Sequence, residues 1–149
     1  MLRLRPAESA DASAIRALLE RNGLPTSDLV SARPEFVVAY DGENLKGAGA
    51  FERFGKTALL RSVVVADDQR GVGLGQTLVR ELERRARAEG INELVLLTQT
   101  AAPFFRRQGY RVVERSGVTQ SVQMSEEFRL LCPASATCMA KTLADPPPG

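Results

Sequence analysis

Arg70-Gly71-Val72-Gly73-Leu74-Gly75 brings together residue types that suit the binding of an anion. Glycines at alternate positions permit backbone conformations and close approaches that a Cβ would forbid. Before them runs Leu59-Leu60-Arg61-Ser62-Val63-Val64-Val65-Ala66, a β-branched apolar segment that reads as a buried strand. After them Leu74, Leu78, Leu82 and Ala86 recur every fourth residue, with Gln76, Arg80, Glu83, Arg84 and Arg87 on the other faces, so the chain from Leu74 to Glu89 reads as an amphipathic helix. Strand, glycine loop and helix in that order aim free N–H groups and the positive end of a helix dipole at one spot, which suits phosphate. A dinucleotide-binding GxGxxG follows the first strand of its unit and a P-loop needs Gly-Lys-Ser/Thr. Here the spacing is GxGxG, several strand-like segments come first, and Gln76 rather than Lys follows Gly75. A solvated glycine-rich turn is the bland alternative.

The remaining segments must position that loop. Leu2 to Arg5 reads as a strand stopped by Pro6, and Ser9 or Asp11 as the cap of a helix through Ile15, Leu18 and Leu19 that ends at Asn22-Gly23. Leu24 to Ser31 connects, with room for a short second helix. Phe36 to Tyr40 and Leu45 to Phe54 read as strands joined by a turn at Asp41-Gly42-Glu43-Asn44, and Gly47 and Gly49 allow twist or close packing. Beyond the long helix, Gly90 is a stop, Leu94 to Thr98 a doubly buried strand, Ala101 to Gln108 a short helix, and Tyr110 to Glu114 a strand. Gln123 to Leu131 reads as helical, Ala136 to Leu143 as the last strand, and residues 145–149 as a disordered Pro-rich tail after a single domain spanning 1–144. This order predicts an α/β (α+β) fold with a mixed, mostly antiparallel sheet of about seven strands and helices on both faces.

Composition fits one globular domain. The 149 residues are 44% hydrophobic and 26% charged, with a net charge of +2, too small to argue for nucleic acid or an anionic membrane. All but three of the 20 basic residues are arginine, the exceptions being Lys46, Lys56 and Lys141. No apolar run approaches the length of a membrane span, and Met1 to Arg5 lacks the apolar region of a signal peptide, so a cytoplasmic protein is expected. Two cysteines, Cys132 and Cys138, are too few for a disulfide framework, and isolated cysteines usually pack as small hydrophobes.

The Arg-x-x-Gly-x-Gly pattern, after a central strand and opening a long helix, resembles the acetyl-CoA pyrophosphate loop of the GCN5-related N-acetyltransferases (GNAT). Ala102-Pro103-Phe104-Phe105-Arg106-Arg107-Gln108-Gly109-Tyr110 looks like the same family's aromatic-x-x-x-Gly-Phe/Tyr segment, and the element order is also the family's. More narrowly, Leu59 to Val63, Leu97 to Ala101, Phe104-Phe105 and Phe128 to Met139 look like bacterial arsenic-resistance N-acetyltransferases. The resemblance implies a GNAT fold, acetyl-CoA as cosubstrate, no metal, and direct attack of an amine on the thioester. It assigns the pantetheine arm to the backbone of Val63, Val64 and Val65. Amides of Arg70, Gly71, Val72, Gly73, Leu74, Gly75 and Gln76 would hold the pyrophosphate, with Phe104 and Phe105 also against the cofactor. The implied acceptor is a small amine, a toxic amino acid analogue of arsenical or glutamate-mimic type; another metabolite or a protein amine is the alternative. A non-catalytic acyl-CoA sensor is a second class. Family members are often dimers, though no residue here marks an interface.

Departures from the family pattern narrow the catalytic options. The position four before Gly109, often a tyrosine that protonates the leaving thiolate, is Phe105, and the chain contains no histidine. Tyr110 and Tyr40 read as packing residues rather than substitute acids. Glu52, in the strand before the central one, is the candidate base, with a solvated carboxylate as the alternative. Arg61 is a charge within an apolar strand, where burial without a partner is costly. It either pairs with a carboxylate such as Glu52 or binds an anionic substrate group, for which a two-pronged guanidinium is well suited. Thr98 and Thr100 follow the strand beside the presumed thioester and are read as acceptor-side donors, Thr98 also as catalytic; strand-end turn chemistry is their alternative. Ser135 and Thr137 are further donors without an assigned role. Glu81/Arg85 and Glu83/Arg87 have the favourable order for surface helix pairs.

Overall fold

Alternating apolar residues build a seven-stranded sheet in the computed structural model, which describes residues 2–71, 73–131 and 135–143. The strands are β1 (Leu2–Pro6), β2 (Glu35–Asp41), β3 (Asn44–Phe54), β4 (Thr57–Val65), β5 (Glu93–Thr98), β6 (Arg111–Val112) and β7 (Thr137–Thr142), in spatial order β1-β2-β3-β4-β5-β7-β6. Every pairing is antiparallel except β4 with β5. Helices α1 (Ala12–Arg21), α2 (Leu29–Ala32), α3 (Leu74–Ala88), α4 (Ala102–Arg107) and α5 (Gln120–Gln123) cover both faces. Among the described residues, no helix is long and apolar enough to cross a membrane.

The long helix lies on one face because its four-residue stripe has a matching surface. Leu74, Leu78, Leu82 and Ala86 pack with Val37, Ala39, Phe51, Leu60, Leu94 and Leu96. Gly47 and Gly49 let this helix approach β3 closely: a Cβ on Gly49 would stand 2.7 Å from Leu82 Cδ1, and one on Gly47 2.9 Å from Leu78 Cδ1. The opposite face carries two smaller cores. Ile15, Leu18 and Leu19 of α1 cover Val38, Ala48 and Val64, while Val118, Val122 and Phe128 cover Leu59, Val95 and Cys138.

Four local expectations change in the folded chain. Asp11 sits at the N-cap position of α1, yet its carboxylate turns back to accept from the Glu8 N–H, a two-pronged Arg5 and the Tyr40 hydroxyl. The expected helix over 123–131 is broken into α5 and a π turn, Glu127–Leu131, because the Ser125 hydroxyl accepts the Phe128 N–H and competes with helical bonding. β6 is shorter than expected: only Arg111 and Val112 pair with β7, and a turn begins at Arg115. Glu83 is more than one half of a surface pair, since it accepts from the Tyr110 hydroxyl (2.9 Å) and from Lys141 of β7. Glu81 does pair with Arg85, and with Arg84 as well. Val72, Cys132 and the tail at 145–149 lie outside the described residues.

Candidate functional site

The site begins where two parallel strands part. β4 and β5 pair only through Thr57↔Glu93, Ala58↔Leu94 and Leu59↔Val95. Past Leu59 they diverge, so the edge of β4 that faces β5 has no strand partner from Leu60 to Val65, while β5 goes on pairing with β7 as far as Thr98↔Thr137. A cleft of about 500 Å³ opens between them. Unpaired backbone groups in such a place need partners, which an extended polar ligand can supply.

A bulge in β4 sets which side chains face the cleft. Ala48 pairs with Val64 and Ala50 with Arg61, so Ser62 and Val63 together stand opposite Gly49. Ser62 adopts a left-handed φ of 58°, uncommon for a residue with a side chain. The extra residue reverses the alternation: Leu60, Val63 and Val65 contact the α3 core, while Val64 packs under α1. Val63, Val64 and Val65 all line the cleft, which brings their free backbone edge beside the glycine loop.

That loop leads directly into α3. Gly71 and Gly73 have φ of 82° and 85°, and Gly73 is the N-cap of the helix. The glycines are required by conformation rather than crowding, because a Cβ at either position would meet nothing within 4 Å. No side chain caps the helix, so the first N–H groups, those of Leu74, Gly75 and Gln76, remain directed outward. Gly75 differs: a Cβ there would touch the Phe104 ring at 3.4 Å, so α4 packs against the start of α3 through this residue. Phe104 stacks edge-on against Phe105, and Phe105 against Tyr110, with ring centroids 5.0 and 5.6 Å apart. Phe105 and Arg70 line the cleft, and the Arg70 guanidinium reaches Asn22 and Asp67.

At the other end of the cleft lies a cluster around Arg61. Its side chain has no solvent exposure. The guanidinium forks onto Asp28, with Nη2 2.7 Å from Oδ1. Nη1 also donates to Glu52 at 3.3 Å, and Nε donates to the Ser62 hydroxyl and lies 3.5 Å from Glu127. Burial opposes the charge on Arg61, but the bond to Asp28 and the fields of Glu127, Asp28 and Glu52 hold its pKa above the ordinary value. Of the two options open for Arg61, the ion pair with Glu52 is present, within a larger set of three carboxylates. Glu52 itself is not among the residues lining the cleft, and burial raises its pKa against the pull of Arg61. Glu127 does line the cleft, is 4% exposed, and is pushed up to about 7, chiefly by burial.

Thr98 and Thr100 both line the cleft. The Thr98 hydroxyl accepts the Ala101 N–H at 3.0 Å, which ties the end of β5 to the start of α4 and leaves its own proton free to donate. Thr137 is the register partner of Thr98, and Ser135 is exposed. Cys138 is buried among Leu59, Val95 and Phe128, and burial raises its thiol pKa. Among the described residues, no group of His, Cys, Asp and Glu is arranged to hold a metal ion.

Three residues of the cluster escape a sequence reading. Asp28 lies in a connecting segment and looks like a turn acid. Glu127 sits beside Glu126 within the stretch 123–131 that reads as helical. Ser62 is one polar residue in an apolar strand. The one signal pointing to them is Arg61, whose burial required carboxylates that the sequence does not locate.

Residues 32–112 match the family model described as "Acetyltransferase (GNAT) domain". The N-acetyltransferase CT2212 of Chlorobaculum tepidum is 31% identical over 94% of this chain and 96% of its own length. The N-acetyltransferase YjcF of Bacillus subtilis is 33% identical over 87 residues, 58% of this chain, and the match spans 62% of that relative. Among solved structures, N-acetylglutamate synthase from Neisseria gonorrhoeae complexed with coenzyme A and N-acetyl-glutamate superposes with a TM-score of 0.83 at 20% identity, over 97% of this chain and 35% of the synthase. Rv2747 from Mycobacterium tuberculosis, in complex with CoA and NLQ, superposes at 0.78 with 23% identity over 95% of this chain and 99% of that one.

Proposed function

The chain belongs to the GNAT acetyltransferases, acetyl-CoA-dependent N-acetyltransferases, and from that premise we propose that it acetylates the primary amine of a small molecule held at the Arg61 end of the cleft. The observation that carries this reading is the parting of β4 from β5, which joins the glycine loop at one side to a buried carboxylate cluster at the other. The pantetheine arm would complete the free edge of Val63 to Val65, with the pyrophosphate on the amides at the start of α3. Charge-assisted bonds of that kind contribute roughly 1.5–3 kcal/mol each. The thioester would then lie near Thr98, whose hydroxyl accepts the Ala101 N–H and would donate its own proton to the departing sulfur or the carbonyl oxygen. Glu52 acts from behind Arg61, as one of the carboxylates that hold the guanidinium in place.

For the acceptor we propose a toxic amino acid analogue, arsenical or glutamate-mimic. Its support is the likeness of residues 59–63, 97–101, 104–105 and 128–139 to arsenic-resistance acetyltransferases. One observation favours a second reading, a cationic metabolite or peptide amine. The Arg61 guanidinium is surrounded by carboxylates, so the wall it builds faces an acceptor with negative rather than positive charge. Phe105, buried where the family often has a proton donor, favours the acyl-CoA sensor.

Coenzyme A release from acetyl-CoA separates these readings. The amine panel comprises arsenical and phosphinic glutamate analogues, methionine sulfoximine, ordinary amino acids, polyamines and lysine peptides, with an amine-free control. Turnover confined to the glutamate analogues supports the detoxifying enzyme. Turnover only on polyamines or peptides transfers the assignment to the cationic acceptor. Tight acetyl-CoA binding without turnover identifies a sensor.

A further inference from the structure

Resting on the acetyl-transfer reading, we propose that Glu127 is the catalytic base, taking the proton from the acceptor ammonium at the Arg61 end of the cleft. Three features of its position distinguish it from every other carboxylate of the cluster. Glu127 lines the cleft, whereas Asp28 and Glu52 do not. Its Oε1 lies 3.5 Å from Arg61 Nε, the same nitrogen that donates to the Ser62 hydroxyl at the β4 bulge. One guanidinium group thus separates the carboxylate from the β4 bulge, on the stretch of edge that has no strand partner. Finally, its backbone opens the π turn Glu127–Leu131, whose start is fixed by the Ser125 hydroxyl, so the carboxylate is presented from a defined turn. π turns of this kind recur at functional sites.

The electrostatic surroundings suit the role. A base for an amine must be ionised part of the time and still bind a proton well, which places its best pKa near the working pH. Glu127 is pushed up to about 7, mainly by burial and then by Asp28 and Glu52, against the lowering effect of Arg61. The charged groups facing it are Arg61 from β4, Asp28 from the segment before α2 and Glu52 from β3; Glu126 acts on Glu52 in turn. The proton balance closes with these groups alone. The ammonium gives its first proton to the Glu127 carboxylate, which passes it to water. The neutral amine attacks the thioester carbonyl and forms the C–N bond. As the C–S bond breaks, the second nitrogen proton leaves the tetrahedral intermediate and the departing thiolate takes one up.

The test compares wild type with Glu127→Gln and Glu127→Asp, using acetyl-CoA and whichever amine of the panel turns over fastest. Glu127→Gln is expected to lower kcat by about 10²–10⁴ with the KM for acetyl-CoA little changed, and to remove the acidic limb of the pH–rate profile near pH 7. Glu127→Asp should restore part of the rate, which a merely structural role would not predict. A Glu127→Gln enzyme with kcat within about fivefold of wild type and the same acidic limb overturns the catalytic role alone. A second readout needs no acceptor: Glu35 is also pushed up to about 7, so the infrared carboxyl band of protein saturated with acetyl-CoA should titrate near pH 7 in both proteins and be weaker in Glu127→Gln than in wild type. Bands of equal strength in wild type and Glu127→Gln overturn the proposal directly. A weaker band in Glu127→Gln with a silent amine panel overturns the acetyl-transfer reading, and the catalytic role with it.

Discussion

Arg61 and Asp28, 33 residues apart in the chain, form a two-pronged ion pair in which neither side chain is exposed to solvent. This pair fastens the segment before α2 to the central strand, and the same guanidinium reaches across to Glu127. Both walls at that end of the cleft therefore depend on one side chain. Removing one partner of a buried pair leaves the other charge unpaired, so Asp28→Ala and Arg61→Ala should each cost about 3–5 kcal/mol. Urea unfolding with far-UV detection measures this, and a loss below about 1 kcal/mol would assign the pair to the acceptor site rather than to stability. In any variant that folds, KM for the amine should rise more than KM for acetyl-CoA.

Gly73 caps α3 with a φ of 85° in open surroundings. An alanine there fits sterically but strains the backbone by roughly 1–2 kcal/mol, and the loop is expected to relax away from the geometry that presents the helix amides. Acetyl-CoA affinity, measured by calorimetry, should fall about tenfold for a loss of that size. Gly42→Ala is the control. It has a similar φ of 60° in the turn between β2 and β3, and should cost stability without altering cofactor affinity.

Tyr110 donates to Glu83 from a buried site, and burial, then the field and hydrogen bond of Glu83, raise its pKa. A hydroxyl held in that way is a poor source of protons. Tyr110→Phe should cost about 1 kcal/mol, because Lys141 still satisfies Glu83, and should leave kcat within about twofold. A large fall in kcat would make Tyr110 the missing acid.

Two buried acids give opposite dependences of stability on pH. Asp11 is held well below its ordinary value by Arg5, helped by the Glu8 N–H and the Tyr40 hydroxyl. Its contribution is complete above the unfolded value of 3.8 and is lost as pH falls below it. Asp11→Asn should therefore destabilise by about 2 kcal/mol at neutral pH and flatten the acid limb of the stability curve. Glu127 is displaced the other way. The folded chain binds its proton more tightly between 4.5 and about 7, so stability falls as pH rises through that window. Glu35 is displaced in the same direction, to about 7, so chemical unfolding at pH 5 and pH 8 should show a larger loss in wild type than in Glu127→Gln.

Most of the elements, and the glycine loop that leads into α3, are legible in the chain alone. The stripe through Leu74, Leu78, Leu82 and Ala86, the apolar runs of β4 and β5, and the glycines before α3 are local patterns, and local patterns survive projection onto one dimension. Even so, the helix expected over 123–131 is interrupted at Met124–Ser125 and resumes as a π turn, Glu127–Leu131, with the Ser125 hydroxyl accepting the Phe128 N–H. Tertiary structure alone decided the rest. β4 and β5 part after Leu59↔Val95, and β4 bulges opposite Gly49, neither of which any spacing announces. Arg61 declared in sequence that it needed a partner, but a buried charge is neutralised by whatever the fold brings near it. The fold brought Asp28 and Glu127 from segments flanking the whole domain-matching core, and through them placed a carboxylate in the cleft.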